Sequence, residues 1–169
     1  MTAIHEILVP TDFSEPASAA LDYAKSLAAD FGSRLHLLHV ISTPAIPWGV
    51  EGTSLSWPTL LADLETGARE QLKGLVPADD PLAGRVTMTA IAGVPVESIL
   101  DYVTAHHIDL IVMGTHGRGL MGHMLLGSVA ERVVRRSPVP VLTLHQPLAA
   151  TAGAGEHMGR SSRVANIVF

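Results

Sequence analysis

The sequence predicts a three-layer α/β/α protein on a five-stranded parallel sheet of strand order 3-2-1-4-5, and three observations carry that prediction. Short apolar runs alternate with longer amphipathic stretches along all of residues 5–144, the pattern of repeated βαβ units. The longer stretches space their apolar residues three and four apart, as one buried helix face requires. Right-handed crossovers then leave few ways to arrange five such units, and the order 3-2-1-4-5 sets the ends of the first and fourth strands side by side.

The elements follow in order. His5–Thr11 (HEILVPT) reads as the first strand. Ser14 suits the N-cap of the next helix, with Glu15 in its first turn and Pro16 tolerated there. Ala20, Leu21, Ala24, Leu27, Ala28 and Phe31 form its apolar stripe, and Gly32 closes it. Arg34–Ile41 is a second strand, on which His36 and His39 face opposite sides; a metal site shared by these two is therefore disfavoured. Ser42–Pro58, with Trp48 and Trp57, reads as a long loop that serves either as a lid or partner surface or as packing over an exposed core edge. Thr59–Leu75 is a second amphipathic helix and Arg85–Ala92 a third strand. Pro95 opens a helix running to about His106, and Asp109–Thr115 is the fourth strand. Ser128–Arg136 is the last helix. Val139–Leu144 is the fifth strand, and its Pro140, lacking an N–H, predicts a sheet edge. Residues 1–146 thus read as one domain. Residues 147–169 read as an Ala/Gly/Thr-rich extension, flexible or docked, that ends in a short apolar patch.

Composition narrows the class. With 47% hydrophobic and 16% charged residues, the 169-residue chain has the content of a compact body and not of a disordered one. A net charge of −5 supplies no general attraction to nucleic acid. Arg132, Arg135 and Arg136 read as a solvated helix face complementing the helix dipole. With no cysteine there is no disulfide and no thiolate chemistry. No secretory signal and no run of about 18 apolar residues is evident, so a cytoplasmic protein with no membrane span is the expectation.

The sharpest motif follows the fourth strand: Gly114-Thr115-His116-Gly117, nine residues, then Gly127-Ser128 at a helix start. Main-chain N–H groups in a glycine-rich turn and at a helix N-terminus bind anions, so phosphate is the first ligand to consider. Gly114 and Gly117 serve either this purpose or positive φ, and Ser128 serves as a phosphate donor, an N-cap, or both. His116, Arg118 and His123 line the same loop, and Arg118 suits a phosphate oxygen. Asp12, just beyond the first strand, either contacts a ligand or cation or accepts N–H groups of its own turn. A GxGxxG match at Gly117–Gly122 is a false lead: the stretch about 20 residues further on, Arg136–Leu144, holds no acidic residue for a ribose. A Walker-type Gly-Lys-[Ser/Thr] is absent, and no unambiguous general base is marked.

Taken together, ILVPTDFSEPASAAL, the His39-Val40 pair, Gly93–Ile99, DLIVMGTHGRG and GSVAERVVRRSPVPVL resemble the universal stress protein family over His5 to about His145. The resemblance implies an adenine-nucleotide-binding, Rossmann-like α/β domain and a homodimer formed partly through the fifth strand, Val139–Leu144. It implies ATP or another adenine nucleotide, with Mg²⁺, held by residues matching Pro10, Thr11, Asp12, Val40, Met113, Gly114, His116, Gly117, Gly127, Ser128 and Val129. To these the loop chemistry adds Arg118, and Asp12 is the carboxylate best placed for the metal. Three readings stay open: a nucleotide-dependent stress or signalling module with slow or no hydrolysis, a Mg²⁺-dependent ATPase, and an unknown-partner module in which nucleotide is incidental.

Overall fold

The computed structural model describes residues 3–42, 57–115, 127–144 and 165–168. In chain order it contains β1 (Glu6–Pro10), α1 (Glu15–Phe31), β2 (Arg34–Ser42), α2 (Trp57–Leu75), a 3₁₀ turn (Ala83–Arg85), β3 (Val86–Gly93), α3 (Pro95–Ala105), β4 (Leu110–Gly114), α4 (Ser128–Arg136), β5 (Val141–Leu144) and β6 (Ala165–Val168). The sheet order is β3-β2-β1-β4-β5-β6, and the first five strands run parallel in the predicted 3-2-1-4-5 order.

Burial on both faces explains the near-continuous apolar strands. In β1, Ile7 and Val9 pack toward α1 and α2, while Leu8 packs toward α3 and α4. β4 does the same with Val112 on the first face and Ile111 and Met113 on the second. α1 lays Ala20, Leu21, Ala24 and Ala28 on the sheet; the alanines let its backbone approach β1 and β4 closely. Ser14 caps it through the Ala17 N–H at 3.4 Å, and Gly32, at φ 71°, turns the chain into the left-handed conformation that ends it. On the other face Ile99, Tyr102 and Val103 of α3 meet Ala130 and Val133 of α4.

Two expectations change. Trp57 and Pro58 begin α2 instead of ending a loop, since a proline in the first helical turn forfeits no intrahelical bond. Residues 43–56, with Trp48 and the loop read as a lid, a partner surface or packing over a core edge, lie outside the described residues. The second change concerns the sheet margin: β5 starts after Pro140, and β6 pairs antiparallel with all four of its residues, from Val141 opposite Val168 to Leu144 opposite Ala165. β5 is therefore not an edge strand. Pro140 restricts only its own missing N–H; its carbonyl still accepts from Ile111 N–H at 3.0 Å, and the ladder begins one residue later.

At the end of the sheet where β1 and β2 begin, Glu6 gathers a compact network. Its Oε2 lies 2.8 Å from His36 Nε2, and its Oε1 accepts from the Arg34 guanidinium, with Nε at 2.8 Å. His36 Nδ1 is 3.0 Å from the Tyr102 hydroxyl, which neighbours Thr89 Oγ1 at 3.3 Å. Tyr102 stacks on His106 with ring centroids 3.7 Å apart. Burial pushes the Tyr102 hydroxyl above its usual range. For Glu6, burial alone would raise the carboxyl, but the hydrogen bonds and charges of His36 and Arg34 outweigh it and hold the group below its ordinary value of 4.5.

Two outcomes follow for this frame. Below about pH 4.5 the unfolded chain takes up the Glu6 proton before the folded protein does, so stability falls as pH falls through that range and is fully present above it. Thermal melts of Glu6→Gln against wild type should show the largest deficit near neutral pH and a shrinking one below pH 4.5; a deficit that does not change with pH would contradict the assignment. Removing residues 145–169 bares the main-chain groups of the β5 margin, which favours strand pairing between molecules. Light scattering should show a larger dimer fraction than in the full chain at equal concentration, and equal mass would contradict it.

Candidate functional site

The adjacent C-terminal ends of β1 and β4 are where the chain leaves the sheet in opposite directions, to α1 on one face and toward α4 on the other. A cleft of about 320 Å³ opens there. Its floor and one wall are Pro10, Thr11 and Asp12 after β1, Leu38, Val40 and Ser42 of β2, and Met113, Gly114 and Thr115 at the end of β4. Its other wall is Pro95 and Ile99 of α3 with Gly127, Ser128, Val129 and Ala130 at the start of α4. The size and the mixture of apolar walls with a few polar groups are those of a small-molecule site.

Nine of the residues singled out in the sequence come together here: Pro10, Thr11, Asp12, Val40, Met113, Gly114, Gly127, Ser128 and Val129. His116, Gly117 and Arg118 lie outside the described residues. Among the lining residues that were not foreseen are Leu38, Ser42, Pro95 and Ile99. The first two share the strand face of Val40 by simple alternation, and the last two sit one helical turn apart behind the Gly-x-Pro at the end of β3.

The turn after β1 is built by its own side chains. Thr11 N–H donates to Leu38 O at 2.9 Å, and Thr11 is buried, with 8% of its surface exposed. Asp12 Oδ1 accepts from Ser14 N–H at 3.0 Å and Ser14 Oγ–H at 2.5 Å. Asp12 therefore fills the structural role open to it in the sequence while also lining the cleft. Ser14 in turn caps α1, so the N-terminus of that helix is satisfied by the protein itself.

The other two helix N-termini at the cleft are not. α4 begins with Gly127 as N-cap, at φ −69° and ψ 155°, and no side chain caps it. Ser128 is the first helical residue and not the cap. Gly127 N–H donates to Thr115 O, and Gly127 O receives Glu131 N–H, so the main-chain donors facing outward belong to the first turn, Ser128 to Ala130. α3 begins with Val94 as N-cap, again with no side-chain cap, and Pro95 on the cleft wall. Pro95 has no N–H and Glu97 sets a carboxylate in the first turn of α3, so the main-chain donors offered to the cavity are chiefly those of α4, an arrangement suited to an anion. Among the described residues no group of three His, Cys, Asp or Glu side chains stands ready for a metal ion.

Gly114 is needed for space, not for positive φ. A Cβ at this position would lie 2.8 Å from the carbonyl carbon and oxygen of Pro16, so only glycine lets the end of β4 pass against the first turn of α1. Of the two roles open to Gly114 in the sequence, positive φ drops out: among the described glycines only Gly32 has it, and Gly117 lies outside the described residues.

These features define a doubly wound parallel α/β domain with an anion-suited cleft at its topological switch point. The universal stress protein family matches residues 3–145, and the chain belongs to that family. Universal stress protein MJ0531 of Methanocaldococcus jannaschii is 31% identical over 143 residues, 84% of this chain and 82% of the relative. Universal stress protein MJ0577 of the same organism is 30% identical, over 82% of this chain and 93% of the relative. The solved structure of MJ0577 superposes with a TM-score of 0.75 at 28% identity, covering 88% of this chain and 100% of that one. A universal stress protein solved in complex with cAMP shares the fold at a TM-score of 0.55 and 24% identity, covering 85% and 98% of the two chains. Among the described residues no helix is long and apolar enough to cross a membrane.

Replacing Gly114 with Ala should force β4 and α1 apart and cost about 1–3 kcal/mol, as overpacking does. Urea unfolding measures it; an unchanged midpoint would show that the Pro16 backbone yields freely.

Proposed function

We propose that this protein is a nucleotide-responsive stress or signalling module that binds ATP, or another adenine nucleotide, in the cleft between β1 and β4. The observation that carries the reading is the contrast among three helix N-termini at one cavity: α1 is capped by Ser14, while α3 and α4 have no side-chain cap. The phosphates would take the first-turn N–H groups of α4 together with the loop bearing Gly114, His116, Gly117 and Arg118. The base would lie against the apolar wall of Val40, Ile99 and Met113. The cAMP complex of a protein sharing this fold makes an adenine nucleotide the ligand to test.

Asp12 would reach ribose hydroxyls or a Mg²⁺ bound mainly by phosphate oxygens and water. One carboxylate is an adequate protein share for that ion. No base poised to activate water stands out among the described cleft residues, and in this reading turnover is slow or absent and the output conformational. In this reading residues 1–146 are the nucleotide-binding unit, the protein is cytoplasmic, and pairing of two copies through β5 requires β6 to leave that margin.

Calorimetric titration of nucleotide-stripped protein with ATP and Mg²⁺ tests it. Micromolar binding in the wild type and a loss of at least about tenfold in Gly127→Val are expected, because the backbone at φ −69° accepts valine while its side chain occupies the phosphate position. Absence of binding heat, and of thermal stabilisation at excess ATP, would overturn the proposal.

A further inference from the structure

Phe13, next to Asp12, has φ 64°, a left-handed conformation that strains a bulky side chain and persists only where its surroundings over-determine it. The surroundings are identifiable. The Phe13 ring lies against the imidazole of His39, with centroids 4.5 Å apart and planes tilted by 39°. His39 Nδ1 is 2.8 Å from the main-chain oxygen of Thr11. A carbonyl only accepts, so Nδ1 carries the proton and donates. Phe13 N–H then donates to Thr11 Oγ1 at 3.1 Å, closing the turn one residue before Ser14 N–H reaches Asp12.

His39 does this from outside the cleft. On β2 it follows Leu38 and precedes Val40, both of which line the cleft, so it projects from the opposite face. There it borders a separate cavity of about 220 Å³ with Phe13, Ile41 and the α2 residues Asp63, Leu64 and Gly67. Alternation along β2 thus sends one neighbour to the ligand wall and the next to the back of the turn that carries Asp12.

We propose that His39 is a positioning residue for the ligand site. Through the Thr11 carbonyl and the Phe13 ring it fixes the reversed turn that presents Asp12 to the cleft. The inference rests on the nucleotide-binding reading for its ligand, but the state of the turn is measurable without one.

Two variants separate the donor from the ring. His39→Phe keeps an aromatic neighbour for Phe13 and removes the donor, whereas His39→Asn places an amide N–H near the position of Nδ1. Amide hydrogen exchange is followed in nucleotide-free protein, and ATP with Mg²⁺ is titrated in parallel. In His39→Phe the Phe13 and Ser14 amides should exchange about tenfold faster while Ile7–Val9 keep wild-type rates. ATP affinity should fall about five- to tenfold, the loss of one hydrogen bond's net contribution. His39→Asn should return both toward wild type. Unchanged exchange at Phe13 and Ser14, unchanged affinity in His39→Phe, or equal acceleration through Ile7–Val9 would overturn the assignment. Failure of the wild type to bind ATP would overturn the nucleotide reading instead, and it shows in the wild-type titration alone.

Discussion

The pairing of β1 with β4 in the middle of a doubly buried sheet governs what this molecule can do. Ile7 and Leu8 stand in register with Leu110 and Ile111, and both strands end at the same level. Because the chain leaves the two strands toward opposite faces, a cleft opens between their ends. The end of β4 runs so close to α1 that a Cβ at Gly114 would meet the Pro16 carbonyl. At the other end of the strands, Asp109 Oδ2 accepts the N–H groups of His5 and Glu6 at 2.7 and 3.0 Å, fixing the register from below. Rigid pairing beneath and diverging loops above are the same constraint seen at two levels.

Helix termini turn that gap into a chemical site. Of the helices that start beside it, α1 satisfies its own N-terminus through Ser14 and Asp12, and α3 and α4 begin at Val94 and Gly127, whose side chains offer no acceptor. The difference lies in single residues. A serine or aspartate at Gly127 would cap α4 from within and compete with any anion for the same N–H groups. The absence of capping chemistry is thus as informative as the glycines themselves.

Much of this could be read from the sequence because it rests on local rules. The limits of α4 at Ser128 and Arg136 and the end of α1 at Gly32 follow from helix periodicity and from the left-handed turn that glycine permits. Pro10, Asp12 and Gly127 could be grouped because strand order alone brings them together. What escaped was non-local. The antiparallel strand β6 lies beyond a stretch without periodicity, and nothing in its four residues names β5 as its partner. The proline rule was applied to Pro140 as if it stood inside the ladder, when it stands just before it. Neither role open to Gly114 in the sequence, phosphate contact or positive φ, names its neighbour across space, Pro16, which sets the requirement. The roles of His39 and Phe13 depend on a contact between β2 and the turn after β1, which no spacing in the chain reports.

The central claim is that the first turn of α4 is the anion-binding element of the cleft. An amide-resolved NMR titration with ATP and Mg²⁺ tests it most directly. The account predicts that the Ser128 and Val129 amides shift strongly and saturate together with Thr11 and Asp12, while amides at the far end of the sheet, such as Arg34 and Asp109, stay in place. Saturable shifts confined to other surfaces, with Ser128 and Val129 unmoved, would contradict it.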